Sequence, residues 1–205
     1  MSFLTTQVNS RLANPGLFEA QVKNYFRKSN NIVQQNKTIA DRVMYDGKFC
    51  GAATNTVNLF TGTYSNLYCN LEGSYVRPSS EHVLIYGIRF WTASQEQGEF
   101  DAGNAEWTKG FTDTFNPLSA AEAPMVPFPY VDVSLVCNGV TYLQNVTGSD
   151  WDSNLMTASK GVLWLNNLIV WPGQTTLEVT VSTSSEENFP DASAIRCDLV
   201  GIGLI

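Results

Sequence analysis

The side chains that could do acid–base chemistry are few and scattered in this chain. His82 is the single histidine; it stands beside Glu81 at the start of an apolar run, without a nucleophile motif such as G-x-S-x-G. No glycine loop of the form G-x-x-x-x-G-K-[ST] or G-x-G-x-x-G occurs that would cradle a phosphate. The sequence therefore gives no support to nucleotide chemistry, and we expect His82 to be a surface or strand-end histidine.

A pair of carboxylates could hydrolyse glycosidic bonds if the two groups were about 5–9 Å apart. The candidates are Asp132 and Glu178, which both fall on outward faces of predicted strands. Single acidic residues are expected on such faces for solubility alone. We therefore predict no catalytic residues and no enzymatic activity.

The segment Asp150-Trp151-Asp152-Ser153-Asn154 begins like a calcium loop, with oxygen ligands at alternate positions. It fails at the sixth position, Leu155, where such a loop needs glycine, and at the twelfth, Gly161, where it needs glutamate. We predict a plain turn here, and neither a metal nor a cofactor for the protein.

Four cysteines, Cys50, Cys69, Cys137 and Cys197, are far apart and lack the C-x-x-C spacing of zinc sites and redox dithiols. We expect small buried side chains. Their spacing leaves open whether Cys137 and Cys197, at apolar-facing positions of two predicted strands, form a disulfide. The first residues lack the features of a signal peptide, so reduced thiols are the default.

Tryptophan rings could stack on sugars. Trp164 and Trp171 lie in the most apolar segment, where burial is expected. Trp107 and Trp151 lie in polar loops and are the candidate ligand-facing aromatics.

Charge is divided by position along the chain. Residues 1–48 hold seven basic and three acidic side chains, whereas residues 49–205 hold five basic and sixteen acidic ones. The two parts therefore suit different partners. Only 15% of residues are charged while 12% are aromatic, which favours a protein that hides surface in an assembly.

The basic part reads as a helical arm. Pro15 suits a first helical position, and apolar residues recur at helical spacing over residues 15–28. A second, weaker helical pattern follows through Ile32, Val33, Ile39, Val43 and Met44. The residues predicted to make assembly contacts are Phe18, Val22, Lys23, Tyr25, Phe26, Arg27 and Lys28.

After Lys48 the pattern becomes all-β, with short β-branched and aromatic runs between Gly, Asn, Pro and Ser clusters. Residues 82–93, 130–137, 161–171, 175–182 and 194–205 are the clearest strands, and Asn138-Gly139 predicts a type I′ hairpin. Weaker runs raise the count to about eight. We predict two domains, a basic helical arm over 1–48 and a single eight-stranded, antiparallel jelly-roll sandwich over 49–205; an immunoglobulin-like or lectin-type sandwich gives a similar pattern.

A basic helical arm followed by one eight-stranded sandwich resembles the jelly-roll capsid proteins of icosahedral viruses and phages. The resemblance is architectural and covers most of the chain. It implies a virion structural protein (a coat, vertex or head-decorating subunit) that is made in the host cytoplasm and acts through repeated contacts with its own copies and other virion proteins. The basic arm would also make any contact with nucleic acid. The alternative hypothesis is a carbohydrate- or receptor-binding sandwich that uses Trp107 and Trp151.

No segment is predicted to cross a membrane. The longest apolar stretch, residues 161–177, is interrupted by Asn166, Asn167 and Pro172 and is too short for about 30 Å of hydrocarbon.

Overall fold

The computed structural model describes eleven parts of the chain: residues 15–30, 38–51, 54–61, 67–71, 81–94, 96–109, 131–148, 158–159, 162–183, 188–189 and 192–204. Two helices lie within them, α1 (Pro15–Asn30) and α2 (Gln97–Asp101). The strands in these parts are β1 (Ile39–Cys50), β2 (Thr56–Leu59), β3 (His82–Ser94), β4 (Thr108–Lys109), β5 (Val131–Cys137), β6 (Val140–Thr147), β7 (Ala158–Ser159), β8 (Val162–Trp171), β9 (Leu177–Thr183) and β10 (Ser193–Leu204).

The strands form two antiparallel sheets. Sheet A has the order β1-β10-β3-β8-β7, with β4 paired to β3 as well, and sheet B has the order β2-β9-β5-β6. The prediction of an all-β sandwich is confirmed at this level. Eight of the ten described strands have four or more residues, and β4 and β7 have two each.

Pairing between the longer strands is nested. β1 pairs with β10, β2 with β9, β3 with β8, and β5 with β6, so that early strands meet late ones in reverse order. The β1–β10 and β3–β8 pairs lie in sheet A, and the β2–β9 and β5–β6 pairs lie in sheet B. The chain therefore crosses repeatedly from one sheet to the other.

A hydrophobic core fills the space between the sheets. Strand β5 alternates strictly, with Val131, Val133, Leu135 and Cys137 buried, and β9 buries Leu177, Val179 and Val181 opposite them. Sheet A contributes, among others, the completely buried residues Ile85, Ile88, Phe90, Ile169 and Trp171. Period-two alternation in the sequence thus selects the inward faces.

The hairpin prediction at Asn138-Gly139 is confirmed. Both residues have positive φ, 51° and 74°, and the flanking Cys137 and Val140 pair directly. Asparagine and glycine tolerate this left-handed backbone, which matches the twist of the two strands that it joins.

The second helical pattern was a wrong prediction for the residues that are described. Ile39, Val43 and Met44 lie in β1, which also carries the chain across the predicted domain boundary at residue 48. A spacing of four residues fits one face of a helix and one face of a strand equally, because four is a multiple of two. Residues 39–48 consequently belong to sheet A rather than to the arm.

Strand β10 lies inside sheet A, between β1 and β3. The strand predicted over residues 194–205 is therefore confirmed, as Ser193–Leu204. Its place between β1 and β3 explains why this segment carries so little polar surface, since both of its edges and both of its faces are covered along most of its length.

Candidate functional site

Helix α1 packs on the outer face of sheet A, at the end formed by Ile202 and Leu204. Val22 and Phe26 are buried there, in one cluster with Leu84, Leu168, Val170, Ile202 and Leu204. The Tyr25 hydroxyl donates a hydrogen bond to the Leu168 carbonyl oxygen at 3.3 Å. The apolar stripe of the arm therefore contacts the sheet of its own chain.

The predicted assembly residues differ in how far solvent reaches their side chains. Val22 and Phe26 are buried within the subunit, whereas Arg27 and Lys28 are exposed and Lys23 and Tyr25 are half-buried. The side chain of Phe18 lies outside the described part of the structure. The assembly role of these residues stays a prediction, and the exposed basic side of α1 is the part that solvent or a partner can reach.

A charged cluster occupies the middle of the same outer face, between α1 and α2. The Asp198 carboxylate is completely buried and accepts four hydrogen bonds. Its Oδ2 accepts from Arg89 Nε at 3.1 Å, Arg89 Nη2 at 2.6 Å and Trp91 Nε1 at 2.7 Å, and its Oδ1 accepts from Arg196 Nε at 2.7 Å. The buried charge is thus paired on both oxygens, as burial of a carboxylate requires.

Strand register explains why these side chains meet. Asp198 lies opposite Arg89 on β3 and opposite Tyr45 on β1, and Arg196 lies opposite Trp91. The Arg89 guanidinium carbon is 4.7 Å from the Trp91 ring centroid, and that of Arg196 is 4.0 Å from the Tyr45 ring centroid. Each arginine is consequently held by one ring and one carboxylate oxygen.

Sequence reasoning missed this cluster. The signal that could have found it is the presence of Arg89, Arg196 and Asp198 inside otherwise apolar strands, at alternate positions that share one face. A charged residue in such a strand needs a partner when its face is covered.

A groove of about 700 Å³ opens at the side of the sandwich where β6 and β8 come near each other. Tyr25 of α1 contributes to its lining, together with Tyr142, Leu143, Trp164 and Leu168. Partial burial is the main cause that raises the pKa of the Tyr142 phenol. On β6, Val140 and Tyr142 remain 54% and 38% exposed. The groove therefore has an exposed apolar rim.

Of the two candidate ligand-facing aromatics, Trp107 is described. It is half-buried and packs edge-on against Tyr68 and Phe100, with ring centroids 5.5 Å and 6.3 Å away. Trp151 lies outside the described residues, as does the segment 150–154, whose sequence begins like a calcium loop. Trp107 thus belongs to a small aromatic cluster to which α2 contributes Phe100.

The cysteine thiols are free in the structure, and all four are buried. Burial raises the pKa of Cys50, Cys69 and Cys137 to about 12, and burial raises that of Cys197 well above its ordinary value too. Such thiols stay protonated and are poor nucleophiles.

Asp46 is a second buried acid, and it serves the fold. Its Oδ2 accepts a hydrogen bond from the Phe60 backbone N–H at 2.6 Å, at the turn that ends β2, where Phe60 has a φ of 63°. Desolvation raises the Asp46 pKa, and the Phe60 hydrogen bond opposes that shift.

His82, Asp132 and Glu178 are the residues with a possible catalytic role in the sequence, and the structure places each of them. His82 begins β3, and its Nδ1 accepts a hydrogen bond from the Gly173 backbone at 2.9 Å. Asp132 pairs with Ser182 and Glu178 with Val136, so the two acids are four residues apart along adjacent strands, about 13 Å. That separation exceeds the range for a glycosidase pair.

Within the described residues, no group of three or more His, Cys, Asp and Glu side chains is arranged to hold a metal ion. No described helix is long and apolar enough to span a membrane. The chain matches no protein-family model, no curated protein and no solved structure.

Proposed function

We propose that this protein is a virion structural subunit whose sandwich is a jelly roll. The observation that carries the proposal is the nested pairing of its longer strands, β1 with β10, β2 with β9, β3 with β8 and β5 with β6. An eight-stranded ribbon paired in this way, and wrapped so that successive pairs fall in alternate sheets, gives the two four-stranded layers of a jelly roll. In this interpretation β4 and β7 are short additions to sheet A.

The subunit acts through contacts with its own copies and with other virion proteins, after synthesis in the host cytoplasm. The surface of β6 supports this. Its sequence, VTYLQNVT, contains no charged residue, and among the described strands only β5 pairs with it. Proteins that stay separate usually guard such an edge with lysine, proline or an inward-pointing charge.

Strand β8 borders the same groove and is equally uncharged, with the sequence VLWLNNLIVW. The protein carries a net charge of −7, so two copies repel each other over most orientations. Strands β6 and β8 themselves bring no charged side chain to a contact on this side. We therefore assign the principal contact between copies to this side, with the exposed basic residues of α1 as a second contact to protein or nucleic acid.

Sedimentation velocity of the purified full chain over a range of protein and salt concentrations, together with negative-stain electron microscopy, tests this function. Wild-type protein is expected to form large closed assemblies. Tyr142→Lys should prevent them, because it places a charge on the rim of the β6 edge. Val43→Lys is the matched control: Val43 is an exposed residue of β1, and its carbonyl oxygen already accepts a hydrogen bond from Asn70.

Monomeric wild-type protein under all these conditions would contradict the proposal. Assembly that tolerates Tyr142→Lys as well as Val43→Lys would leave the function standing and move the contact to another surface.

A further inference from the structure

The charged cluster on the outer face of sheet A holds two cationic side chains and one carboxylate. Two guanidinium groups, Arg89 and Arg196, surround the single Asp198 carboxylate. The arginine side chains are 29% and 24% exposed, whereas Asp198 is completely buried. Solvent therefore meets the cationic part of the cluster and not the anionic part.

Hydrogen-bonding capacity is also left over. A guanidinium group has five N–H donors. Arg89 directs Nε and Nη2 at Asp198, and Arg196 directs Nε alone. Among the described residues, Arg89 Nη1 and the two terminal nitrogens of Arg196 make no hydrogen bond. Both guanidinium groups therefore keep N–H donors that a ligand can use.

Both guanidinium groups are fixed before any ligand arrives. Asp198 anchors each one, and the rings of Trp91 and Tyr45 lie against them. Long charged side chains ordinarily lose rotamer freedom on binding, and this cost is already met here. Pairs of fixed, forked donors match the geometry of an oxyanion with two oxygens.

We infer that Arg89 and Arg196 form a carboxylate-binding site, and that its ligand is an Asp or Glu side chain of a second copy of this chain. The inference rests on the proposed function and names the chemistry of one contact within it. Charge complementarity favours this ligand, because residues 49–205 contain sixteen acidic and five basic side chains, and these arginines are two of the five.

The direct test is an NMR titration of the full chain carrying Tyr142→Lys, which is expected to stay unassembled, in which the indole N–H of Trp91 and the Nε–H signals of Arg89 and Arg196 are followed. The probe is a triglutamate peptide, compared with sodium chloride at equal ionic strength. Triglutamate is expected to shift these signals saturably, and chloride is not. Arg196→Gln should weaken the binding about tenfold, since it removes charge-assisted hydrogen bonds.

Arg196→Lys separates a shaped site from general attraction between charges. Lysine keeps the charge but lacks the planar fork, so the site predicts a loss similar to that of Arg196→Gln. Full binding by Arg196→Lys, or the absence of any shift with triglutamate, would overturn the inference. A short single-stranded oligonucleotide that shifts the signals when triglutamate does not would also overturn it, in favour of a phosphate ligand.

Sedimentation of the same variants distinguishes this inference from the proposed function. If wild type and Arg196→Gln assemble equally, the contact is wrong while the function stands. If triglutamate binds but neither the variants nor the wild-type protein assembles, the carboxylate-binding site stands, while its assignment to a second copy falls together with the structural function.

Discussion

The Tyr25 hydroxyl donates to the Leu168 carbonyl oxygen across 3.3 Å and so joins α1 to β8. The two residues come from parts of the chain that are 143 positions apart. The hydrogen bond lies next to the buried side chains of Val22 and Phe26, so the arm helix is held by packing and by a polar contact together. Removal of α1 would expose the Ile202–Leu204 end of sheet A.

Phe26→Ala tests how strongly that helix is held. Phe26 is completely buried, so truncation is expected to lower the free energy of unfolding by about 3–5 kcal/mol. Arg27→Ala, at the next, exposed position, should change it by less than about 0.5 kcal/mol. Urea denaturation followed by circular dichroism measures both. Equal, small effects would mean that α1 does not rest on sheet A in solution.

Asp198→Ala is expected to cost about 3–5 kcal/mol of stability, because two guanidinium groups lose the buried carboxylate that pairs with them. Arg196→Ala should cost only about 1 kcal/mol, since Arg196 is partly exposed and Asp198 keeps Arg89 and Trp91. The comparison is made by thermal unfolding at low and high salt. A smaller loss for Asp198→Ala than for Arg196→Ala would contradict the assigned geometry.

The buried thiols predict both reactivity and a pH dependence. Native protein should react very slowly with 5,5′-dithiobis(2-nitrobenzoate), and the four cysteines should react at once in denaturant. The folded pKa of Cys50, Cys69 and Cys137 is about 12 against an ordinary 9.0, so only the unfolded chain ionises these thiols between those values.

Stability is therefore unaffected by these thiols below about pH 9 and falls as the pH rises towards 12. Urea denaturation at a series of alkaline pH values measures the slope, and Cys137→Ala should make the slope shallower. Rapid modification of the native protein would show that the thiols are accessible.

Gly201→Ala probes the close approach of two strands in sheet A. An added Cβ would lie 2.7 Å from the Leu84 carbonyl oxygen, and backbone cannot yield as a flexible side chain can. We expect a loss of about 1–3 kcal/mol. Gly98→Ala in α2 meets nothing within 4 Å and should stabilise by about 0.5–1 kcal/mol, because alanine favours the helix. Differential scanning calorimetry compares the two; a stabilised Gly201→Ala variant would contradict the packing described.

Local patterns predicted the parts of the fold that local physics decides. The Asn138-Gly139 turn follows from two residues that accept positive φ, and the alternation of β5 and β9 follows from having one face in the core. Ile39 and Val43 were misassigned because their spacing suits a helix and a strand alike.

The charged cluster could not be predicted because its members meet only through register. Asp198 is 109 positions from Arg89, and the sequence near either residue does not indicate which residue pairs with it. Burial of Asp198 depends on the strands and side chains around it, which are tertiary features. The nested order of pairing is likewise a property of the assembled sheets, and strand count alone left several sandwiches open.

The central position of β10 has a consequence for how the chain is made. Ile39 pairs with Leu204 and His82 with the same residue from the other side, so β1 and β3 have no shared neighbour until residues 193–204 have left the ribosome. Contacts between residues so distant in sequence slow folding, because the entropy of closing a long loop is lost before the stabilising contacts form. During synthesis the edges of β1 and β3 that later pair with β10 are unpaired. A chaperone that shields these edges is expected to raise the yield of native protein.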